Sequence, residues 1–285
     1  MDGNARRSRL ALAALALLWT VGLYTRGYWT PDEPREAALS ASVSAHALPL
    51  PSLGGQLFAE KPPLTYWLAG AAMRGLGASA AAARVPQLFY ALLAFGAVLV
   101  LLRTLLGPGA RESALAGALL FATMLLVYQV QIWLDTDALL LAGVALALAG
   151  MYAALGAAHG AHAAGRSADA SRWRGYSAMH AGLTLAFFAK NFAAWLVPVL
   201  AFAGFIVWER RWRELLRPQF WLPALLPVAC IAWWVSAVAA QPDGGHALRI
   251  LFWNNLAGRL LPVAAEAQYA YASGHRNSPG SYFLE

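Results

Sequence analysis

The chain has 285 residues, of which 60% are hydrophobic and only 12% charged, with a formal net charge of +7. A soluble domain carries about 45–50% apolar and about 25% charged residues, so too little charge remains here to coat a water-facing surface. A disordered chain, a disulfide scaffold (Cys230 stands alone) and an ordinary soluble enzyme are excluded, and the composition is that of a polytopic membrane protein.

A helix needs about 20 apolar residues to cross a hydrocarbon core of roughly 30 Å. Leu10–Tyr24 follows Arg6, Arg7 and Arg9 and reads as an uncleaved first span, with Trp19, Tyr24 and Tyr28 as an aromatic belt. Thr25–Arg84 is a long external stretch that carries short elements of its own. Within it, Leu64–Leu76 is short and interrupted by Arg74 and two glycines, and is predicted to lie in the interface. Further spans are expected at Val85–Leu106, Ser113–Trp133, Ala138–His159, Tyr176–Ala189, Phe192–Trp208 and Phe220–Ala240. Gln241–Ser281 is a second external segment. The expected fold class is all-α, a bundle of about seven transmembrane helices with external amphipathic juxtamembrane helices. The apolar run opening at Ser281-Tyr-Phe-Leu-Glu285 is unfinished, so the chain is expected to be the N-terminal portion of a longer protein.

Arginines orient this scheme. With Leu64–Leu76 in the interface, Arg6–Arg9, Arg103, Arg111, Arg166, Arg172, Arg174 and the Arg210–Arg217 cluster all fall on one side. Short arginine-rich loops mark the cytoplasm. Topology and anionic lipid headgroups account for the positive charge, and no nucleic-acid partner is expected.

The remaining polar residues gather on the opposite, external side. They are Asp32, Glu33, Arg35 and Glu36, then Glu60 and Lys61, then Asp135 and Asp137, then Lys190, and finally His275 and Arg276. Ionisable groups at a membrane face are costly unless paired or solvated, so their convergence marks a functional site. Glu36 and Asp243, taken singly, read as solvated loop charges. Pro31 and Pro34 restrict the backbone around Asp32-Glu33 and fix carboxylates that can supply a general base. In an extended stretch those two neighbours point apart. Lys61, before Pro62-Pro63 and Tyr66-Trp67, is a point charge suited to a lipid phosphate; Lys190 serves similarly or snorkels. Asp135-Thr136-Asp137 has the spelling of a metal motif, but two carboxylates rarely hold Mg²⁺ without substrate phosphates. No metal ligand set is assigned, no cofactor is required, and dependence on a divalent metal stays open. There is no Gly-rich phosphate loop for a nucleotide sugar.

These strings, in this order, carry a resemblance. Asp32-Glu33 after the first helix, Glu60-Lys61-Pro62-Pro63-Leu64 with Tyr66-Trp67, and Ala83-Arg84-Val85-Pro86 resemble the membrane glycosyltransferases of the GT-C superfamily. The likeness is greatest to the bacterial aminoarabinose transferases that modify lipid A and to the protein O-mannosyltransferases. Asp135/Asp137, Ala189-Lys190-Asn191 with Pro198, and His275-Arg276-Asn277-Ser278-Pro279 with Tyr282 also match landmarks of those families. The resemblance implies a polyprenyl-phosphate-linked sugar donor, inverting transfer to a lipid or protein acceptor, and a site facing the periplasm from the bacterial inner membrane. It implies Asp32 as the base, Glu60 and Lys61 near the donor phosphate, and Arg259 as a second phosphate contact. Two departures stand out: Asn191 follows Lys190 where glycine is usual, and Arg-Asn-Ser-Pro follows His275 where an acidic-Pro pair is usual. A transporter or flippase for a lipid-linked sugar is the rival reading, though it calls for polar residues along the helix interiors. A polysaccharide ligase is a further alternative.

Overall fold

The computed structural model describes residues 3–29, 31–46, 49–107, 109–160 and 168–255. Where water is absent, each backbone group must be satisfied within its own segment, so the apolar runs become helices. The elements are α1 (Gly3–Tyr24), α2 (Asp32–His46), a two-strand hairpin of β1 (Ser52–Leu53) and β2 (Gln56–Leu57), α3 (Leu64–Leu76) and α4 (Ala80–Ala83). There follow α5 (Val85–Leu106), α6 (Arg111–Thr123), α7 (Leu125–Ile132), α8 (Asp137–Gly160), α9 (Ala168–Lys190), α10 (Leu196–Trp208), α11 (Pro218–Ala239) and α12 (Gly244–Arg249). The antiparallel hairpin pairs Ser52 with Leu57 and Leu53 with Gln56 across Gly54 and Gly55, both at positive φ as a tight turn requires.

The long stretch after α1 thus has elements of its own, as expected. The Asp32-Glu33 segment is not extended, however. It is the first turn of α2, where Pro34 forfeits no helical hydrogen bond and two carboxylates favour the positive end of the helix dipole. The expected span Ser113–Trp133 is likewise two helices, bent by 66° at Met124. The Thr123 hydroxyl donates to the Leu119 and Leu120 carbonyls, and Met124 turns to an extended ψ of 132°.

By length and apolarity four stretches can cross a bilayer: Ala80–Leu106, Asp137–Gly156, Ala168–Trp208 and Pro218–Ala239, or five with the bent pair counted as one. At 13 residues, α3 is about 20 Å long and falls short of that crossing. The stretch Ala168–Trp208 reverses near Lys190, since Phe202 and Ile206 pack back on Tyr176 and Met179. Its turn is made at Asn191, whose φ of +65° is left-handed, followed by a 3₁₀ segment, Asn191–Trp195.

The tightest seam lies between α8 and α9. A Cβ on Gly143 would sit 2.6 Å from the Ala186 amide nitrogen, one on Gly150 2.6 Å from the Gly175 carbonyl, and one on Gly182 2.6 Å from the Gly143 carbonyl. Small residues there let the two backbones touch, which in a bilayer replaces hydrophobic driving force with dispersion contact.

The bundle has two chemically distinct ends. At one, Arg84 reaches the Leu23 carbonyl and Trp234 donates to the Pro49 carbonyl, so the polar segments lie over α1, α5 and α11. Arg26, Arg35 and Arg84 at this end each face a carboxylate. At the other end Arg211 donates to the Leu155 carbonyl and Arg172 lies near Glu214. Arg103 at the end of α5 and the start of α1 lie toward that same end.

Candidate active site

The first turn of α2 divides its two acids. Successive helical residues are about 100° apart, so Asp32 and Glu33 diverge, although the segment is helical rather than extended. The Asp32 side chain is 46% exposed and pairs with Arg35 at 3.1 Å. Glu33 points inward and is fully buried.

Glu33 is saturated with donors. Arg26 approaches through two nitrogens, at 2.5 and 3.1 Å, and Arg84 through two more, at 3.1 and 2.8 Å. The backbone amides of Trp29 (2.7 Å) and Leu134 (2.8 Å) complete the shell. Burial by itself would push this carboxyl up; the two guanidiniums and the two amides outweigh it and hold it at about 2. Arg84, also fully buried, spends its remaining donors on the carbonyls of Leu23, Arg26 and Gly27. Glu33 and Arg84 therefore tie the end of α1, the start of α2 and the α7–α8 turn into one knot. The amide that Glu33 holds belongs to the residue before Asp135.

The next turn of α2 carries Glu36, which sequence reasoning treated as a solvated charge. It is 1% exposed. Its carboxylate meets Lys61 Nζ at 3.3 Å and Arg35 at 3.3 Å, both through Oε1. The signal was present in its spacing, three residues after Glu33 and four after Asp32 on a helix.

Lys61 is delivered by the turn before Pro62-Pro63 and α3. Besides Glu36 it holds Asp135 at 3.0 Å, and its side chain is 13% exposed. Burial favours the neutral amine, but Glu36, Asp135 and the nearby Glu60 more than compensate, and its pKa lies above the ordinary lysine value. Asp135 is held in turn. Its Oδ1 accepts from the Thr136 amide at 2.5 Å, and Gln87 donates to its carbonyl at 3.0 Å. Burial works against the Asp135 carboxylate, while Lys61 and the Thr136 amide lower its pKa below the usual range. Glu36 is pushed the other way, upward, by burial.

Asp137 opens α8 and pairs with Lys190, the last residue of α9. Asp135 and Asp137 thus face different lysines, and among the described residues no three His, Cys, Asp or Glu side chains converge as metal ligands. The departure at Asn191 has a local explanation. Its left-handed φ is the one glycine adopts freely and asparagine tolerates best among side-chain-bearing residues. Its amide also donates to the Leu251 carbonyl at 2.9 Å and its oxygen accepts from the Phe192 amide. Asn255 similarly donates to the Ala59 and Glu60 carbonyls, which ties the second external segment to the Glu60-Lys61 turn. Arg259, His275 and Arg276 lie outside the described residues.

One end of the bundle therefore unites Asp32, Arg35, Glu36, Glu60, Lys61 and Asp135, with Asp137 and Lys190 alongside. An exposed carboxylate is joined through Arg35 and Glu36 to a buried lysine locked by acids, at the rim of a set of membrane-length helices. Such an arrangement can accept a proton from a hydroxyl at Asp32 and stabilise an anion at the cations.

Comparison with known proteins bears on this arrangement. The family described as dolichyl-phosphate-mannose-protein mannosyltransferase matches residues 60–236, more than half of the chain. An undecaprenyl phosphate-alpha-4-amino-4-deoxy-L-arabinose arabinosyl transferase of Pseudomonas paraeruginosa is 29% identical over 252 residues, 86% of this chain and 42% of that protein. The Erwinia tasmaniensis protein of the same name is 28% identical over 275 residues, 94% of this chain and 45% of its own. The chain thus spans less than half the length of these curated relatives. Among solved structures, ArnT from Cupriavidus metallidurans superposes with a TM-score of 0.75 in its apo state and 0.77 bound to undecaprenyl phosphate. Both superpositions are at 20% identity and cover 88% of this chain, with 45% and 44% of the respective ArnT chain, and they establish the fold.

Proposed function

The chain belongs to the dolichyl-phosphate-mannose-protein mannosyltransferase family, and on that footing we propose that it serves a membrane glycosyltransferase. The reaction moves a sugar from a polyprenyl-phosphate-linked donor to a lipid A-like or protein acceptor, with inversion. The names of the relatives make undecaprenyl phosphate-linked 4-amino-4-deoxy-arabinose the first donor to test. In this reading the chain is a bundle of about seven spans with α3 in the external interface and the carboxylate–lysine end facing the periplasm. The arginines gathered at the opposite end, Arg103, Arg172 and Arg210–Arg217, support that orientation.

In this reading Asp32 removes the proton of the acceptor hydroxyl. The freed oxygen lone pair attacks the anomeric carbon, and the carbon–oxygen bond to phosphate breaks with its electrons going to the departing polyprenyl phosphate. Lys61, beside Glu60, holds that phosphate with help from Lys190 and Arg259. Asp135 and Asp137 set the two lysines, and His275 and Arg276 serve the acceptor side. Glu33 is a positioning residue, because its oxygens are committed to six donors. The carrying observation is the exposed Asp32 carboxylate joined through Arg35 to the buried Glu36–Lys61–Asp135 cluster.

The test is Asp32→Asn in the complete protein, assayed for sugar transfer in membranes. Transfer should fall by about 10²–10⁴-fold, the usual effect of losing a general base, while donor binding and insertion persist. If Asp32→Asn turns over within a few-fold of the parent while a folded Glu33→Gln is inactive, Asp32 is not the base and the assignment of roles to the two acids fails. If both variants are fully active, the transferase reading fails and the transporter takes its place.

A further inference from the structure

The opposite end of the bundle has a cavity that sugar transfer does not use. It measures about 500 Å³ and is lined by Arg210, Arg211, Trp212, Arg213, Glu214 and Arg217, where α10 ends and a 3₁₀ turn, Trp212–Leu216, leads into α11. Its floor is Glu214, 6% exposed, which accepts from the Tyr176 hydroxyl at 3.1 Å and is ion-paired with Arg217 at 3.0 Å, with Arg172 at 3.7 Å. That carboxylate is already shared by two arginines. Arg211 is turned onto the Leu155 carbonyl and the Phe205 ring. Arg210 and Arg213 are exposed and have no carboxylate partner among the described residues. Arg210 is also held at a φ of +53°, a left-handed conformation that arginine rarely adopts.

The cavity mouth is apolar as well as cationic. Trp212 lines it, Trp208 (86% exposed) and Leu216 (83% exposed) adjoin the lining residues in the chain, and Trp221 flanks the start of α11. Below them the outer faces of α10 and α11 expose Leu200, Val207, Leu222 and Leu225. A free anion would use the arginines and leave this rim idle. A phospholipid uses both, with its phosphate among the guanidiniums and its acyl chains along the two helix faces.

We propose that this cavity binds the headgroup of an anionic phospholipid of the cytoplasmic leaflet. The leaflet assignment rests on the orientation argued above, which labelling of a loop cysteine tests separately. Exchange of Arg210 and Arg213 leaves the Glu214 contacts in place, so the double variant Arg210→Gln/Arg213→Gln should fold and melt like the parent.

The experiment is native mass spectrometry of the complete, delipidated protein titrated with cardiolipin or with phosphatidylcholine of matched chains, with and without excess inorganic phosphate. Cardiolipin should be retained over phosphatidylcholine and survive the phosphate. The double variant should lose retention about tenfold or more, given roughly 1 kcal/mol per basic residue at such a surface. Arg103→Gln, an exposed arginine on the same side but outside the cavity, should behave as the parent. Equal retention of phosphatidylcholine, displacement by phosphate, an unaffected double variant, or an equal loss in Arg103→Gln would each overturn the proposal.

Discussion

Replacing Glu33 by glutamine tests whether the knot at the head of α2 is structural. The change preserves shape but removes the charge facing Arg26 and Arg84, and it places an amide NH₂ against donors that are already there. Two lines give its size. A carboxyl held at about 2 rather than at its ordinary 4.5 contributes about 3 kcal/mol near neutral pH. Removing one partner of a buried ion pair typically costs 3–5 kcal/mol. For a chain of this size about 3 kcal/mol corresponds to a melting point lowered by roughly 6–12 °C. The sign of the pH dependence follows from the folded carboxyl lying below the unfolded one. The stabilisation is complete above pH 4.5 and is lost as pH falls through about 2. Thermal melting of the detergent-solubilised complete protein, followed by tryptophan fluorescence at pH 7 and across the acid range, measures both. A Glu33→Gln protein that melts within a degree of the parent at pH 7, or a gap between the two that does not narrow in acid, refutes the assignment.

Three further outcomes are expected. Lys61→Ala should weaken binding of a polyprenyl-phosphate sugar by roughly 10- to 150-fold, the equivalent of about 1.5–3 kcal/mol for a charge-assisted contact, and Lys61→Arg should not restore it; unchanged affinity in nanodiscs would remove Lys61 from the site. Gly150→Leu should cost at least about 1–3 kcal/mol by overpacking the α8–α9 seam, whereas Gly204→Leu, with nothing within 4 Å of its added Cβ, should be tolerated; size-exclusion profiles of the two variants decide. A cysteine in place of Gly107, between α5 and α6, should be labelled only from the cytoplasmic side, and labelling confined to the periplasmic side would invert the topology.

The helices were legible because in lipid an uninterrupted apolar run leaves the backbone no other course. What the runs do not reveal is where a helix bends. Leu125-Leu126-Val127-Tyr128 continues the apolar pattern without a break, and the bend is made at Met124, whose extended ψ of 132° nothing in the composition announces. The α8–α9 seam was hidden for another reason. In a sequence rich in alanine and glycine, Gly143, Gly150, Gly175 and Gly182 look like background. They matter only in phase with one another, when two backbones meet face to face.

At the polar end, Asp32 and Lys61 could be picked out because neighbouring prolines mark them, and Asp135 because it stands in an external Asp-Thr-Asp turn. Glu36 could not, because each acid was weighed against water one residue at a time. Burial reverses that judgement only when a cation comes from elsewhere in the chain, and Lys61 lies 25 residues away. The same separation explains why Asp32-Glu33 looked like one functional pair. Arg84 reaches Glu33 from 51 residues downstream, and that contact turns one of two adjacent acids into scaffold and leaves the other exposed. The locked lysine also bears on the proposed reaction. An unpaired amine this deeply placed would tend to give up its proton, leaving nothing to attract a phosphate. Glu36 and Asp135 keep it charged before substrate arrives, so an incoming phosphate exchanges one anionic partner for another rather than meeting a bare buried charge. The acids around Lys61 are, on this argument, a condition for its binding a phosphate rather than competitors that preclude it.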